Sequence, residues 1–132
     1  MTTRRIGEIG ELAIIKDIMM NQRLDVYRPF CDDRGIDLLV DTPSGFKKVQ
    51  IKSRSISIPR KGVRGKATSI EIKLSKYIDS GIDVIAVYYI PNDWIAYVPY
   101  ENNHHMTLAI EPASNNQVKH RKFFEDYRNF PY

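Results

Sequence analysis

Residues 35–53 read GIDLLVDTPSGFKKVQIKS, a stretch in which two largely apolar runs flank the residues TPSG. Pro43 and Gly45 are typical turn residues, and the flanking runs have the composition of strands, so the stretch predicts a β-hairpin. If the turn is centred between Pro43 and Ser44, residues paired across the two strands have numbers that sum to about 87.

This register places Asp37 opposite Gln50, to within one residue. Side chains alternate between the two faces of a strand, so Gln50 and Lys52 share one face while Val49 and Ile51 share the other. Three polar groups, those of Asp37, Gln50 and Lys52, are therefore expected to converge at the open end of the hairpin.

A polar cluster of this kind suits the metal-assisted hydrolysis of a phosphodiester. The Asp37 carboxylate and the Gln50 amide oxygen can bind Mg²⁺, as can the carbonyl of Ile51. The metal would polarise the scissile phosphate, and Lys52 can orient the attacking water or offset the charge that builds up on the phosphorane. The alternative is a surface ion pair between Asp37 and Lys52, which contributes little energy.

The motifs around the hairpin resemble those of the PD-(D/E)XK nuclease superfamily. The hairpin has the spacing D-x12-Q-x-K over residues 37–52, and the segment GEIGE at residues 7–11 has the pattern G-x-x-G-E in a predicted helix. The likeness is greatest to the group I intron-associated homing endonucleases, in which Gln replaces the second acid. The segments GEIGE, YRPF, DLLVD and VQIK follow one another in the order typical of that branch.

The resemblance implies a restriction-endonuclease-like α/β core, with a mixed β-sheet flanked by helices in the order α-β-β-β-α-β and an additional C-terminal strand and helix. It assigns Glu11, Asp37, Gln50 and Lys52 to the active site, with Asp37, Gln50 and Glu11 as ligands of Mg²⁺, for which Mn²⁺ can substitute. Glu8, one helical turn earlier, is the alternative to Glu11. Since Gln50 is uncharged where the commoner motif has an acid, the same substitution would also fit an inactive nuclease.

The remaining elements are predicted from periodicity and turn residues. Apolar residues at helical spacing predict a helix over 5–20, and the continuous apolar run near residue 86 predicts a buried strand. The other expected elements are a strand in LDVYRPF, a loop or ribbon over 55–69, a short helix over 70–80, a strand in WIAYVPY, a strand in MTLAI and a C-terminal helix over 120–128.

Positive charge is concentrated in one part of the chain, whose formal net charge is +4. Ten of the 20 Lys and Arg residues lie between positions 47 and 76, against the single acid Glu71. A basic cluster of this density is typical of surfaces that neutralise phosphates, although a solvated charged surface is the alternative. The residues expected to contact DNA are Arg54, Arg60, Lys61, Arg64 and Lys66.

The expected protein is a single domain over residues 1–132 that acts as a Mg²⁺-dependent, site-specific DNA endonuclease. Cutting both strands of a duplex with one centre per chain favours a homodimer or homotetramer. No signal peptide or membrane span is expected, and the lone Cys31 fits a reducing cytoplasm. The resemblance to the homing endonucleases implies a prokaryotic or phage-like cytoplasm with a nucleoid association. The alternatives are a Holliday-junction-resolvase-like nuclease, an inactive DNA-binding module and a basic RNA-binding domain.

Overall fold

A computed structural model describes residues 1–31, 34–55, 69–110 and 122–132. These described residues form one long helix, eight strands and three short 3₁₀ turns. The elements are α1 (Thr3–Met20), β1 (Asp25–Tyr27), β2 (Leu38–Thr42), β3 (Gly45–Arg54), β4 (Ser69–Lys73), a 3₁₀ turn (Ser75–Tyr77), β5 (Val84–Tyr89), a 3₁₀ turn (Ile90–Asn92), β6 (Trp94–Pro99), β7 (His105–Ala109), β8 (Lys122–Phe123) and a 3₁₀ turn (Phe124–Tyr127).

Helix α1 has a defined start and one buried face. The side chain of Thr2 caps the helix by accepting a hydrogen bond from the Arg5 nitrogen at 3.1 Å. Gly10, Ile14 and Ile18 are buried, and their spacing of four residues places them on one side of the helix. The predicted helix is therefore confirmed, with its apolar face against the sheet.

The main sheet has five strands in the order β1-β2-β3-β5-β6. The β2–β3 hairpin pairs Leu38 with Val49 and Thr42 with Gly45, so paired residues have numbers that sum to 87, as the turn predicts. Strand β3 pairs with β5 in parallel and every other pair in this sheet is antiparallel, which makes the sheet mixed. Strand β5 lies between β3 and β6 and is buried along its whole length, in agreement with its apolar run.

The two faces of this sheet pack against different partners. One face carries Leu38, Val49 and Ala86 and is covered by Ile14 and Ile18 of α1. The other face is covered by a second, three-stranded sheet in the order β4-β7-β8. That side buries an apolar cluster that includes Ile70, Ile72, Leu74, Tyr77, Ile85, Val87, Leu108 and Phe124. The arrangement is a mixed α/β fold of the restriction-endonuclease-like type.

Two predicted helices are wrong. Residues 70–80 form strand β4 followed by the 3₁₀ turn Ser75–Tyr77, because Ile70 and Ile72 alternate with polar residues and pair with β7. Residues 120–128 form the short strand β8 and the 3₁₀ turn Phe124–Tyr127 where the structure describes them. Most of the predicted loop over 55–69 lies outside the described residues. Among the helices that the structure does describe, none has the length and hydropathy needed to cross a membrane.

Candidate active site

The backbone of β3 holds Asp37 at the mouth of the hairpin. The Asp37 nitrogen donates to the Val49 carbonyl at 2.9 Å, which extends the pairing one residue beyond β2. Its carboxylate oxygen Oδ2 accepts a hydrogen bond from the Ile51 nitrogen at 2.8 Å. A backbone N–H donor of this kind orients a carboxylate.

Gln50 is the most buried polar residue of the cluster, with 8% of its surface exposed. Its amide nitrogen donates to the Ile51 carbonyl at 3.2 Å, which leaves the amide oxygen Oε1 pointing elsewhere. Within the described part of the chain, Oε1 is buried and has no hydrogen-bond donor. Leaving a buried acceptor without a partner costs about 1–3 kcal/mol, so such an oxygen is suited to a ligand that supplies positive charge.

Lys52 lies on the same face of β3 as Gln50, two residues further along. Its Nζ donates a hydrogen bond to the Tyr77 hydroxyl at 2.7 Å and lies 4.7 Å from the centre of the Tyr77 ring. Val49 and Ile51, on the opposite face, pack in the cluster beneath α1. The alternation predicted from the strand period is therefore confirmed by the packing.

Two residues of the site region are not identified by sequence reasoning. Tyr77 is 4% exposed and lies in the segment that the sequence predicts to be a helix. Gly35 adopts a left-handed φ of +73°, and a Cβ atom added there would lie 3.0 Å from Tyr77 Cε1 and 3.6 Å from Gln50 Oε1. Gly35 is the only signal of this packing that the sequence offers, since a glycine near a polar cluster is compatible with close approach.

The two candidate helix carboxylates have different surroundings. Glu11 forms an ion pair with Arg28, and 29% of its side chain is exposed. Glu8 forms a surface pair with Arg4 at 3.5 Å, and 67% of its side chain is exposed. The structure thus places Glu11, and not Glu8, on the more buried side of α1. No group of three His, Cys, Asp or Glu residues placed to hold a metal occurs in the four described segments.

Close packing next to Glu11 brings α1 against β3. A Cβ atom added at Gly10 would lie 1.6 Å from the Ser53 Oγ atom, so only a glycine allows the helix to approach this closely. Ser53 follows Lys52 in β3 and, on the odd-numbered face, points toward the helix. Gly10 therefore fixes the depth at which the helix that carries Glu11 meets the strand that carries Gln50 and Lys52.

Arg54 continues the same face of β3 beyond Lys52. Its guanidinium donates to the Ser53 carbonyl at 2.9 Å, and burial lowers its pKa below the ordinary value of an arginine. A partly buried cation next to Lys52 extends positive charge along the strand. The other predicted DNA contacts, Arg60, Lys61, Arg64 and Lys66, lie outside the described residues.

The donor set fits a hard divalent cation. The Asp37 carboxylate and the orphaned Gln50 Oε1 are oxygen donors of the kind that Mg²⁺ and Mn²⁺ accept; Asp37 directly precedes β2, and Gln50 lies in the neighbouring strand β3. Gln50 contributes no charge, so these two groups together bring a single negative charge.

Comparisons with known proteins bear on the family and the fold of the chain. The sequence profile of the PD-(D/E)XK endonuclease family matches residues 1–130. The solved structure of a bacterial homing endonuclease, I-Ssp6803I, is similar over 96% of this chain and 86% of that chain, with a TM-score of 0.66 and 18% sequence identity. No curated protein matches the chain. The structural likeness shows the shared fold, and the profile shows that the chain belongs to the PD-(D/E)XK endonuclease family.

Proposed function

We propose that the protein is a divalent-metal-dependent DNA endonuclease whose catalytic centre is formed by Asp37, Gln50 and Lys52. The observation that carries the proposal is the buried, unpartnered Oε1 of Gln50 within the described residues. The residue that follows Gln50 in β3 is Ile51, whose backbone nitrogen donates to the Asp37 carboxylate. Burying an oxygen acceptor without a donor costs free energy, and a bound cation would offset that cost.

Asp37 and Gln50 would hold the cation, with Glu11 as a third ligand from α1. Mg²⁺ is the proposed ion, and Mn²⁺ can replace it because it accepts the same oxygen donors. A divalent cation held there would stabilise negative charge on a phosphoryl oxygen and lower the pKa of a bound water molecule. The Glu11 pair with Arg28 is partly exposed and therefore weak, so it does not commit Glu11 to that partner.

Lys52 supplies positive charge that does not depend on the cation. Its ammonium group donates to the Tyr77 hydroxyl, and its side chain lies on the face of β3 that carries Gln50. From there it can donate a hydrogen bond to the attacking water or to an oxygen of the scissile phosphate as the P–O bond to the leaving group breaks. Donors aimed at developing charge are usually the largest single contribution to catalysis.

Arg54 and the basic segment after it would contact the DNA backbone. Arg54 shares the face of Lys52, so a phosphate contact there would lie beside the catalytic centre. Arg60, Lys61, Arg64 and Lys66 follow Arg54 in the sequence and are proposed to contact the same backbone. Contacts to phosphates position an enzyme on DNA without reading its sequence.

The proposed subtype is a site-specific, homing-endonuclease-like enzyme. The motif order of the chain and the named homing endonuclease of similar fold support it. One chain, proposed as a single domain over residues 1–132, carries one centre, so double-strand cleavage requires two subunits or two successive nicks. A homodimer or homotetramer in a prokaryotic or phage-infected cytoplasm meets that requirement.

The experiment that tests the function is a nicking time course on supercoiled plasmids that carry a pool of random inserts, at low salt, with Mg²⁺ or Mn²⁺. We expect the wild type to cleave and both Asp37→Asn and Lys52→Ala to lose about a hundredfold in rate or more. Asp41→Asn, in the same hairpin, and Lys16→Ala, on α1, are matched charge controls that should cleave like the wild type.

Other outcomes would select other functions. DNA binding without cleavage in either metal would favour an inactive DNA-binding module, with Gln50 marking a lost ligand. Preferential cleavage of a four-way junction over linear duplex would favour a junction-resolving nuclease. Equal loss of cleavage in all four variants would show that the hairpin cluster has no special role.

A further inference from the structure

Tyr77 is held rigidly by the fold at a position beside the proposed centre. Its backbone nitrogen donates to the Leu74 carbonyl at 2.9 Å, and its carbonyl accepts from the Ser80 nitrogen at 3.0 Å. Its ring belongs to the apolar cluster between the two sheets and is almost fully buried. A tyrosine fixed at both backbone ends and by its ring has little freedom to move its hydroxyl group.

The Tyr77 hydroxyl is the group that the Lys52 ammonium contacts. The 2.7 Å hydrogen bond and the 4.7 Å distance from Nζ to the ring centre place the ammonium at the hydroxyl end of the ring. A lysine has a flexible four-carbon stem with a rotatable ammonium, so its head group is poorly ordered unless a partner fixes it. Because the hydroxyl accepts from the ammonium, it keeps its own hydrogen for a second partner.

The same ring also contacts the segment that leads to Asp37. Gly35 lies so close that a Cβ atom there would be 3.0 Å from Tyr77 Cε1, and its left-handed φ suits a glycine. Asp37 follows two residues later. Tyr77 therefore touches both arms of the site, the loop before β2 on one side and the head of Lys52 on the other.

We propose that Tyr77 is a positioning residue for Lys52. Its hydroxyl holds the Lys52 ammonium group at a fixed place relative to Asp37 and Gln50. This inference rests on the proposed function, because it concerns the catalytic use of Lys52. Tyr77 need not touch the DNA. The hydrogen bond from Lys52 to Tyr77 restricts the rotation of the ammonium group and orients its remaining N–H donors. This orientation lowers the barrier only for the chemical step.

The test compares Tyr77→Phe with Tyr100→Phe in the full chain. Phenylalanine keeps the ring packing at either position and removes only the hydroxyl. Tyr100 is a matched control because its hydroxyl also lies in this region, where it donates to the Asn103 carbonyl at 3.0 Å and does not reach Lys52. Tyr77→Phe loses the hydrogen bond from Lys52, and Tyr100→Phe loses the bond to the Asn103 carbonyl together with a longer one to the Leu74 carbonyl at 3.3 Å, so each unfolding midpoint should fall by about 2–6 °C.

Steady-state nicking of a supercoiled plasmid pool in Mn²⁺ should separate the two variants. For Tyr77→Phe we expect kcat to fall about tenfold or more, the scale of one hydrogen bond to a charged group, with KM changed by less than about twofold. Tyr100→Phe should keep the wild-type kcat. The Lys52 ammonium signal in ¹H–¹⁵N spectra, assigned with Lys52→Arg, should be lost or shifted in Tyr77→Phe alone.

The failure of this inference can be distinguished from the failure of the proposed function. An active wild type beside a Tyr77→Phe variant of unchanged kcat would overturn the positioning role and leave the nuclease intact. A rise in KM with unchanged kcat would overturn it as well, because it indicates a role in substrate binding. A wild type that cleaves in no metal would overturn the proposed function, and the catalytic role of Tyr77 with it, even if the spectra confirmed the contact with Lys52.

Discussion

Replacing Gly10 by alanine tests how closely α1 must approach β3. The added Cβ atom would lie 1.6 Å from Ser53 Oγ and 2.8 Å from Ser53 Cβ. The hydroxyl can swing to another rotamer, but the Cβ atom is attached directly to the backbone of a strand in the main sheet and cannot. The helix or the strand must therefore shift.

The expected magnitude follows from two opposing contributions. Alanine is favoured over glycine inside a helix by about 1 kcal/mol. Overpacking a well-packed interior costs about 1–3 kcal/mol, and the 2.8 Å contact with Ser53 Cβ, which cannot move away by a change of rotamer, belongs at the upper end of that range. We therefore expect Gly10→Ala to lower the free energy of unfolding by about 2 kcal/mol.

The assay is urea denaturation followed by far-ultraviolet circular dichroism, with Gly7→Ala as the control. Gly7 lies in the same helix, and a Cβ atom there would meet nothing within 4 Å, so this variant should gain about 1 kcal/mol from helix propensity alone. Adding Ser53→Gly to Gly10→Ala should recover part of the loss beyond the sum of the single effects. A Gly10→Ala protein as stable as Gly7→Ala would refute the reasoning, since no close approach would then exist.

Three further predictions concern the site, the pH dependence and DNA binding. Gln50→Glu should lower the thermal unfolding midpoint in EDTA, because it buries a charge. Addition of Mn²⁺ should then raise the midpoint of Gln50→Glu by more than it raises that of the wild type. Equal rises in the two proteins would argue against a cation at this position. The Tyr97 hydroxyl donates to Asp17 Oδ2 at 2.5 Å, and burial together with that bond raises the pKa of Tyr97 above 10.0. The protonated hydroxyl therefore contributes its full stabilisation below about pH 10, and this contribution is lost as the pH rises further. In denaturant titrations at increasing alkaline pH, the free energy of unfolding of Tyr97→Phe should fall less than that of the wild type. Arg54→Ala should weaken duplex binding in fluorescence anisotropy and reduce the slope of log K against log salt concentration by about 1, and an unchanged slope would remove Arg54 from the phosphate contacts.

The hairpin shows why part of the site is predictable from sequence. Its turn residues and its alternation are local properties, and the register from Leu38–Val49 to Thr42–Gly45 agrees with the position of the turn. Once the turn is placed, the period of two along a strand puts Gln50 and Lys52 on one face without further information.

The segment over 70–80 shows where local reasoning ends. Ile70 and Ile72 fit the short strand that pairs with β7, but the partner lies more than 30 residues later in the chain. Residues 70–73 become a strand because they pair with the edge of β7, and that edge is available only once the second sheet has assembled. The C-terminal segment behaves in the same way, because Phe124 packs beside Trp94 with ring centres 5.9 Å apart.

The sequence by itself determined the hairpin, the long first helix and the residues that stand on the polar face of β3. It could do so because strand alternation, turn chemistry and helical periodicity act over a few residues. Only the tertiary structure decided that Lys52 meets Tyr77, that Gln50 Oε1 is buried without a donor among the described residues, and that Glu11 pairs with Arg28. These contacts join residues that are 17 or more positions apart or depend on what surrounds a buried atom, and close packing in three dimensions selects them.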